Sequence, residues 1–258
     1  PAWVQEMKDS LGEDSDEFRI RVAGLPPRFD AEQFIPRHWV NAANERVVPI
    51  FERWPLILGV DIGHTGDKSV IVPRRGRKVL RDGCHVHRGE RTTDFARIIV
   101  DQIKYWREEH GLEANCVMEA IGMGVGVVET IEDMGYENQV WGVMTGKAAQ
   151  ETELYSNMRC EMWAYRKEWL EGEVELPNVA DLSDDLVTVK RKPSGATNKL
   201  ALESKDQMRR RGVRSPDWAD ALALTFAVPF DLLPEKRDLW HKKWGEGSGD
   251  EGRSWASN

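Results

Sequence analysis

Two hydrophobic periods divide this chain. From residue 56 an almost unbroken apolar run, Leu56-Ile57-Leu58-Gly59-Val60-Asp61-Ile62-Gly63, predicts a strand over 56–62 buried on both faces. Further strands are predicted over 69–73 and 78–88; the polar turn His64-Thr65-Gly66-Asp67 links the first two, and the three should run antiparallel. Between 92 and 110 the period changes to a helical one: Phe95, Ile98, Ile99, Ile103 and Trp106 fall on one face, and Gly111 supplies the stop. A short strand over 115–119, a helix over 125–134 ending at Gly135 and a strand over 139–144 follow. Strands alternating with helices require parallel pairing and right-handed crossovers, so the fold class is α/β with a mixed central sheet and helices on both faces.

The flanks are less regular. Residues 1–52 mix short helical and extended pieces broken by Gly24, Pro26, Pro27 and Pro36, and read as a connector that packs on whatever precedes it. Residues 156–171 predict a Trp- and Met-rich helix capped by Ser156 and stopped by Gly172. Polar loops are expected over 173–199, with an edge strand at Val187-Thr188-Val189 and a turn at Pro193-Ser194-Gly195. A short basic helix over 204–211 stops at Gly212, and a last helix begins at Ser215 and runs to about Pro229. Beyond 232 the chain is polar and glycine-rich and is expected to be a mobile tail.

Composition narrows the class without deciding it. At 258 residues, 40% hydrophobic and 31% charged, the chain suits one large domain with appendages. No apolar run is long enough to span a bilayer and no signal peptide opens the sequence. The start at Pro1, in sequence that reads as mid-protein, predicts a piece of a longer polypeptide. Cys84, Cys116 and Cys160 are scattered, which points to a reducing compartment rather than a disulfide framework. His85 and His87 share a strand face but lack a third ligand for zinc. The net charge of -8 runs against strong binding of nucleic acid by this chain alone.

The chemistry concentrates in acids placed where acids are costly. Asp61 closes a buried strand, and a carboxylate there needs a cation or strong donors. Taken alone it is also a common strand-end turn residue. Glu119 closes Cys116-Val117-Met118 and precedes the glycines Gly122, Gly124 and Gly126, at the edge of the sheet where α/β proteins bind ligands. Those glycines do not form a dinucleotide fingerprint, because Glu129 stands where the third glycine belongs. Asp217 and Asp220 lie one turn apart on the last helix; the helix dipole would favour Asp217 without any function, but two acids on one face of an apolar helix call for neutralisation. Lys68, Arg74, Arg75, Arg77 and Lys78 form the densest basic cluster, and Lys205, Arg209, Arg210 and Arg211 a second; either could contact DNA or be a solvated surface.

These residues carry a resemblance. Glu203 through Phe226, with Arg214-Ser215-Pro216-Asp217-Trp218-Ala219-Asp220-Ala221-Leu222 at its centre, resembles the last motif of the nuclease domain of tailed-bacteriophage terminase large subunits. Gly59-Val60-Asp61-Ile62-Gly63 with Gly66-Asp67-Lys68-Ser69, and Met118-Glu119-Ala120 through Gly126-Val127, are similar to the first two motifs, in order. The resemblance implies an RNase H-like domain over 53–232 that binds two Mg²⁺ or Mn²⁺ ions and cuts concatemeric double-stranded DNA during packaging, in the host cytoplasm. It assigns Asp61 as bridging ligand with Glu119 and Asp217 beside it, and Asp220 as a fourth ligand or a supporting group; Asp67 reads as a turn residue. It also implies an ATPase motor in the same polypeptide, a portal protein and a small terminase subunit as partners. The motor is not in this chain, since Gly142-Val143-Met144-Thr145-Gly146-Lys147-Ala148 is too short for a phosphate loop and ends in Ala. A docking module of the same fold with weak catalysis is the alternative, and an actin-like ATPase a third reading.

Overall fold

The computed structural model describes residues 2–11, 18, 22, 24, 33–63, 68–192 and 198–229. Its frame is a six-stranded mixed sheet: β1 (Leu56–Asp61), β2 (Lys68–Arg75), β3 (Lys78–Val79), β4 (His85–Arg88), β5 (Ala114–Glu119) and β6 (Val140–Val143). In space the order is β3-β2-β1-β5-β6, with β4 also on β2. β1 pairs antiparallel with β2 and parallel with β5, and β5 pairs parallel with β6. This is the RNase H-like arrangement, with antiparallel leading strands followed by parallel ones. The helices are α1 (Ala2–Leu11), α2 (Arg37–Glu45), α3 (Thr92–His110), α4 (Met123–Ile131), α5 (Met158–Glu171), α6 (Ala180–Thr188), α7 (Lys205–Arg210) and α8 (Asp217–Leu224). Among the described residues no helix is long and apolar enough to cross a membrane.

Residue parity along β1 sorts the molecule into two layers. Leu56, Leu58 and Val60 join Phe95, Ile99 and Ile103 of α3 and Val127 and Ile131 of α4 in one apolar core. Ile57 points the other way, into a core shared with α2, α5, α6 and α8. Gly59 lies on that second face because α8 crosses directly over it: a Cβ at residue 59 would stand 1.9 Å from the Ala221 carbonyl oxygen. By the same parity Asp61 emerges on the α8 side. On β5, Val117 joins the α8 core and Cys116 and Met118 the other, so Glu119 emerges beside Asp61. Parallel pairing, with Val60 opposite Met118, brings both carboxylates to one edge of the sheet.

Several predicted elements change shape. The single strand expected over 78–88 is broken into β3 and β4 by a turn of 3-10 helix at Arg81–Gly83. Gly83 is wedged against the Trp106 ring of α3, 2.6 Å from where its Cβ would be, and this close approach lifts the chain off the sheet. The edge strand expected at Val187-Thr188-Val189 is the end of α6 instead; Leu182 and Leu186, one turn apart and fully buried, fix the helix. Asn157, not Ser156, caps α5, accepting from the Cys160 N–H. The last helix ends at Leu224, well short of Pro229. Residues Phe34, Ile35, Val40 and Ala43, expected in a connector, are buried in the α8-side core. The predicted turns at 64–67, with Asp67, and at 193–195, and the predicted tail, lie outside the described residues.

Candidate active site

At the edge where β1 and β5 end, an open cleft of about 570 Å³ is lined by Asp61, Glu119, Asp220, Thr145, Arg159, Lys192, Lys205 and Arg209, among others. Four separate stretches of chain deliver the three acids and Lys205. β1 and β5 bring Asp61 and Glu119, α8 brings Asp220, and α7 brings Lys205, its first residue. Ser204 caps α7 in a reciprocal capping box with Gln207, which sets where Lys205 leaves the helix.

The acids converge on a cation. The Lys205 ammonium stands 3.6 Å from Asp61 Oδ1 and 3.2 Å from Asp220 Oδ2. Asp61 is 4% exposed, and burial pushes its carboxyl up to about 8; Lys205 pulls it down, while Asp220, Asp217 and Glu119 push it further up. Burial works against the Lys205 charge as well, but Asp220, Asp61 and Glu119 together hold its ammonium well above the ordinary lysine range. Asp220 is held the opposite way to Asp61. Burial would raise it, yet Arg159, Lys205, Trp163 and Arg166 outweigh burial and lower it. Its Oδ1 accepts from Arg159 Nε at 3.3 Å, Arg159 Nη2 at 3.2 Å and Trp163 Nε1 at 2.8 Å. The other oxygen, Oδ2, is buried, accepts no hydrogen bond among the described residues, and faces Lys205.

The two acids of α8 are therefore not equivalent. Asp220 lines the cleft, whereas Asp217 is only half buried at the start of the helix, where Ser215 hydrogen-bonds it, and it acts on Asp61 through its field. Behind it, Asp185 accepts from the Trp218 N–H at 3.0 Å and pairs with Arg214 at 3.2 Å, so α6 fixes the first turn of α8. Lys68 lies at this end of β2 but is paired with Asp181 at 3.0 Å.

The basic cluster read from the sequence does not reach the cleft. Arg74 and Arg75 sit opposite Ile57 and Leu56, at the far end of β1 from Asp61, about 14 and about 17 Å away at the rise of a β-strand. Arg74 is 5% exposed, donates to the Thr225 hydroxyl at 2.7 Å and the Thr225 carbonyl at 2.8 Å, and stacks on Phe226. Arg75 bonds the carbonyls of Trp54 and Glu52, Arg77 those of Glu173 and Trp169, and Lys78 pairs with Glu175 at 2.7 Å. These cations tie loops to the sheet. Around the cleft the positive charge comes from Arg159, Lys192, Lys205 and Arg209, of which Arg159 and Lys192 escaped the sequence reading. Arg159 had a usable signal: with Trp163 and Arg166 it places two arginines on an otherwise apolar helix face, and Arg166 is fully buried against the Trp163 ring.

As they stand, no three His, Cys, Asp or Glu side chains among the described residues are close enough together to hold a metal ion, since the acids close on the Lys205 ammonium. The donor set nevertheless fits a hard divalent cation. It offers carboxylate oxygens only, one of them buried without a hydrogen bond, in a charge balance that already requires a cation at that point.

No protein-family model matches this sequence, and no curated protein does. Solved structures match it at probability 1.00. The nuclease domain of the large terminase subunit gp2 of bacterial virus Sf6, a K428A mutant with manganese and beta-thujaplicinol, is 16% identical with a TM-score of 0.60, over 74% of this chain and 97% of that one. The unmodified Sf6 domain gives 0.59 at 16% identity over the same shares. The large terminase nuclease of thermophilic phage G20c with bound magnesium is 17% identical with a TM-score of 0.51, over 73% of this chain and 94% of that one. The chain thus has the fold of the nuclease domains of phage large terminase subunits.

Proposed function

We propose that this chain is a metal-dependent DNA endonuclease, the nuclease part of a phage packaging terminase that cuts concatemeric double-stranded DNA. The observation that carries the reading is that Asp61 and Asp220 meet one cation, Lys205, at the sheet edge of this fold, with Glu119, from a third distant part of the chain, lining the same cleft. The solved neighbours that carry manganese and magnesium support a divalent ion here. Asp61 is the central ligand, with Glu119 and Asp220 beside it. Asp217 adds negative charge from the rim, a smaller role than the family resemblance implies for it. Two Mg²⁺ or Mn²⁺ ions bound there would stabilise the attacking water and the leaving 3′ oxygen at the scissile phosphate.

The chain's own groups prepare that chemistry. Arg159 and Trp163 hold Asp220 ionised and turn its free oxygen inward. Lys205 neutralises the acids, and Lys192 and Arg209 at the cleft draw the phosphate backbone towards it. A motor, a portal and a small terminase subunit are the partners this reading requires, and the host cytoplasm its place of work. Incubation of the chain with supercoiled plasmid and Mn²⁺ tests it: nicked and linear DNA are expected, and Asp61→Asn, Glu119→Gln and Asp220→Asn should each abolish them, with Asp217→Asn reducing them less. Undiminished cutting by any two of the first three variants would overturn the assignment. The second reading, a docking module of weak activity, rests on Lys205, which already balances the acids without metal. It predicts no metal binding by the intact chain.

A further inference from the structure

The loop after β6 supplies no metal ligand, although its sequence, Gly142-Val143-Met144-Thr145-Gly146-Lys147-Ala148, stands out as a failed phosphate loop. Val143 is opposite Glu119 in the sheet, and the Ala120 N–H donates to the Val143 carbonyl at 2.9 Å. Thr145, two residues further on, keeps the parity of Val143 and reaches the Glu119 side chain, where its hydroxyl donates to Oε1. The loop is fastened from the other side by α5. The Arg159 N–H donates to the Thr145 carbonyl and the Met158 N–H to the Lys147 carbonyl, each at 2.9 Å. The fully buried Glu161 carboxylate accepts from the Gln150 N–H at 2.6 Å and the Glu151 N–H at 3.2 Å. Donors at the start of a helix commonly go to water or a cap; here they clamp a loop.

We propose that Thr145 is the positioning residue of Glu119: its hydroxyl occupies one carboxylate oxygen and leaves the other aimed into the cleft, so that the first two turns of α5 place two of the three acids, Glu119 through Thr145 and Asp220 through Arg159 and Trp163. This rests on the metal-site reading of the cleft. A carboxylate fixed at one oxygen has fewer orientations to lose when its second oxygen takes a cation, and groups that hold ligands in this way commonly change metal affinity by 10- to 100-fold. The backbone of the loop is held independently of the hydroxyl, and Thr145 is only half buried, so the hydroxyl can be removed with the fold intact.

The test is Mn²⁺ titration of the whole chain by calorimetry, without DNA, alongside plasmid cutting and thermal melting. Thr145→Val should weaken Mn²⁺ binding by about tenfold or more with an unchanged melting temperature, and raising Mn²⁺ should restore much of the cutting. Thr145→Ser, which keeps the hydroxyl, should stay within about threefold of the parent, and Thr145→Ala serves in place of the valine variant should that one melt early. In a Glu119→Gln background the valine change should have no further effect on Mn²⁺ binding, because its influence runs through that carboxylate. Parental affinity in Thr145→Val, or an equal loss in the Glu119→Gln background, would overturn the role of Thr145 and leave the metal site standing. A parent chain that binds no Mn²⁺ would overturn both.

Discussion

Asp61 sits in an environment that disfavours its charged form. Its carboxyl is raised to about 8 by burial, from 3.8 in an unfolded chain, so the folded state binds its proton more tightly. Stability from this group is therefore complete below the unfolded value, and it is lost as pH rises through about 8, when a buried carboxylate must ionise beside Asp220 and Glu119. In metal-free buffer the melting temperature should fall between about pH 5 and 8 and level off above that, and Asp61→Asn, which has no proton to lose, should remove most of that fall. The loss is at most about 1.4 kcal/mol for each pH unit between the unfolded and the folded value, or roughly 3 °C for a chain of this size, and nothing is added above about 8. A divalent ion competes with the same proton, so Mn²⁺ should bind more tightly as pH rises through that range, with proton release visible as a buffer-dependent calorimetric heat. A parent melting temperature as flat as the variant's between pH 5 and 8 would show that Asp61 is not strained in this way.

At the scale of elements, the site depends on how closely α8 lies on β1. That closeness has a single-atom cause, the missing Cβ of Gly59, which leaves room for the Ala221 carbonyl and the Thr225 methyl. Gly59→Ala should cost about 1–3 kcal/mol, a drop in melting temperature of several degrees, and should weaken Mn²⁺ binding because α8 carries Asp220 away from Asp61. Gly146→Ala, where an added Cβ meets nothing within 4 Å, is the control for stability and should be nearly neutral. Much of this geometry was legible in the sequence. The apolar run over 56–62 gave a buried strand, the parity of Ile57, Gly59 and Asp61 then put the acid on one face, and the helix–strand alternation gave the parallel neighbour that carries Glu119. What stayed hidden depends on partners distant along the chain. Asp184 and Asp185 disguised the Leu182 and Leu186 stripe of α6 as a loop, since a buried Asp185 makes sense only once Arg214 and the Trp218 N–H are beside it. Asp217 and Asp220 are alike on a helical wheel; only Arg159 and Trp163, some sixty residues upstream, decide which of them faces inward.

The whole molecule carries 36 basic and 44 acidic residues, and among the described residues Arg159, Lys192, Lys205 and Arg209 gather positive charge at the edge of the sheet where the acids lie. The densest basic stretch in the sequence, Arg74 to Lys78, is engaged in hydrogen bonds and an ion pair at the far end of the strands from the cleft. The two groups of cations should separate cleanly in experiment. Arg75→Gln and Arg77→Gln remove hydrogen bonds to backbone carbonyls and should each lower stability by about 1 kcal/mol while leaving plasmid cutting unchanged at a temperature well below the melting point. Lys192→Gln and Arg209→Gln should leave stability within about 0.5 kcal/mol, since both side chains are at the open cleft, and should reduce cutting. The log–log dependence of DNA affinity on salt discriminates further: each DNA phosphate that a variant no longer neutralises should flatten its slope by about 0.9, so the Lys192 and Arg209 variants should show shallower slopes and the Arg75 and Arg77 variants the parental one. A shallower slope for the second pair alone would place the DNA on the face of β2 and β3 and separate the acid-lined cleft from the substrate.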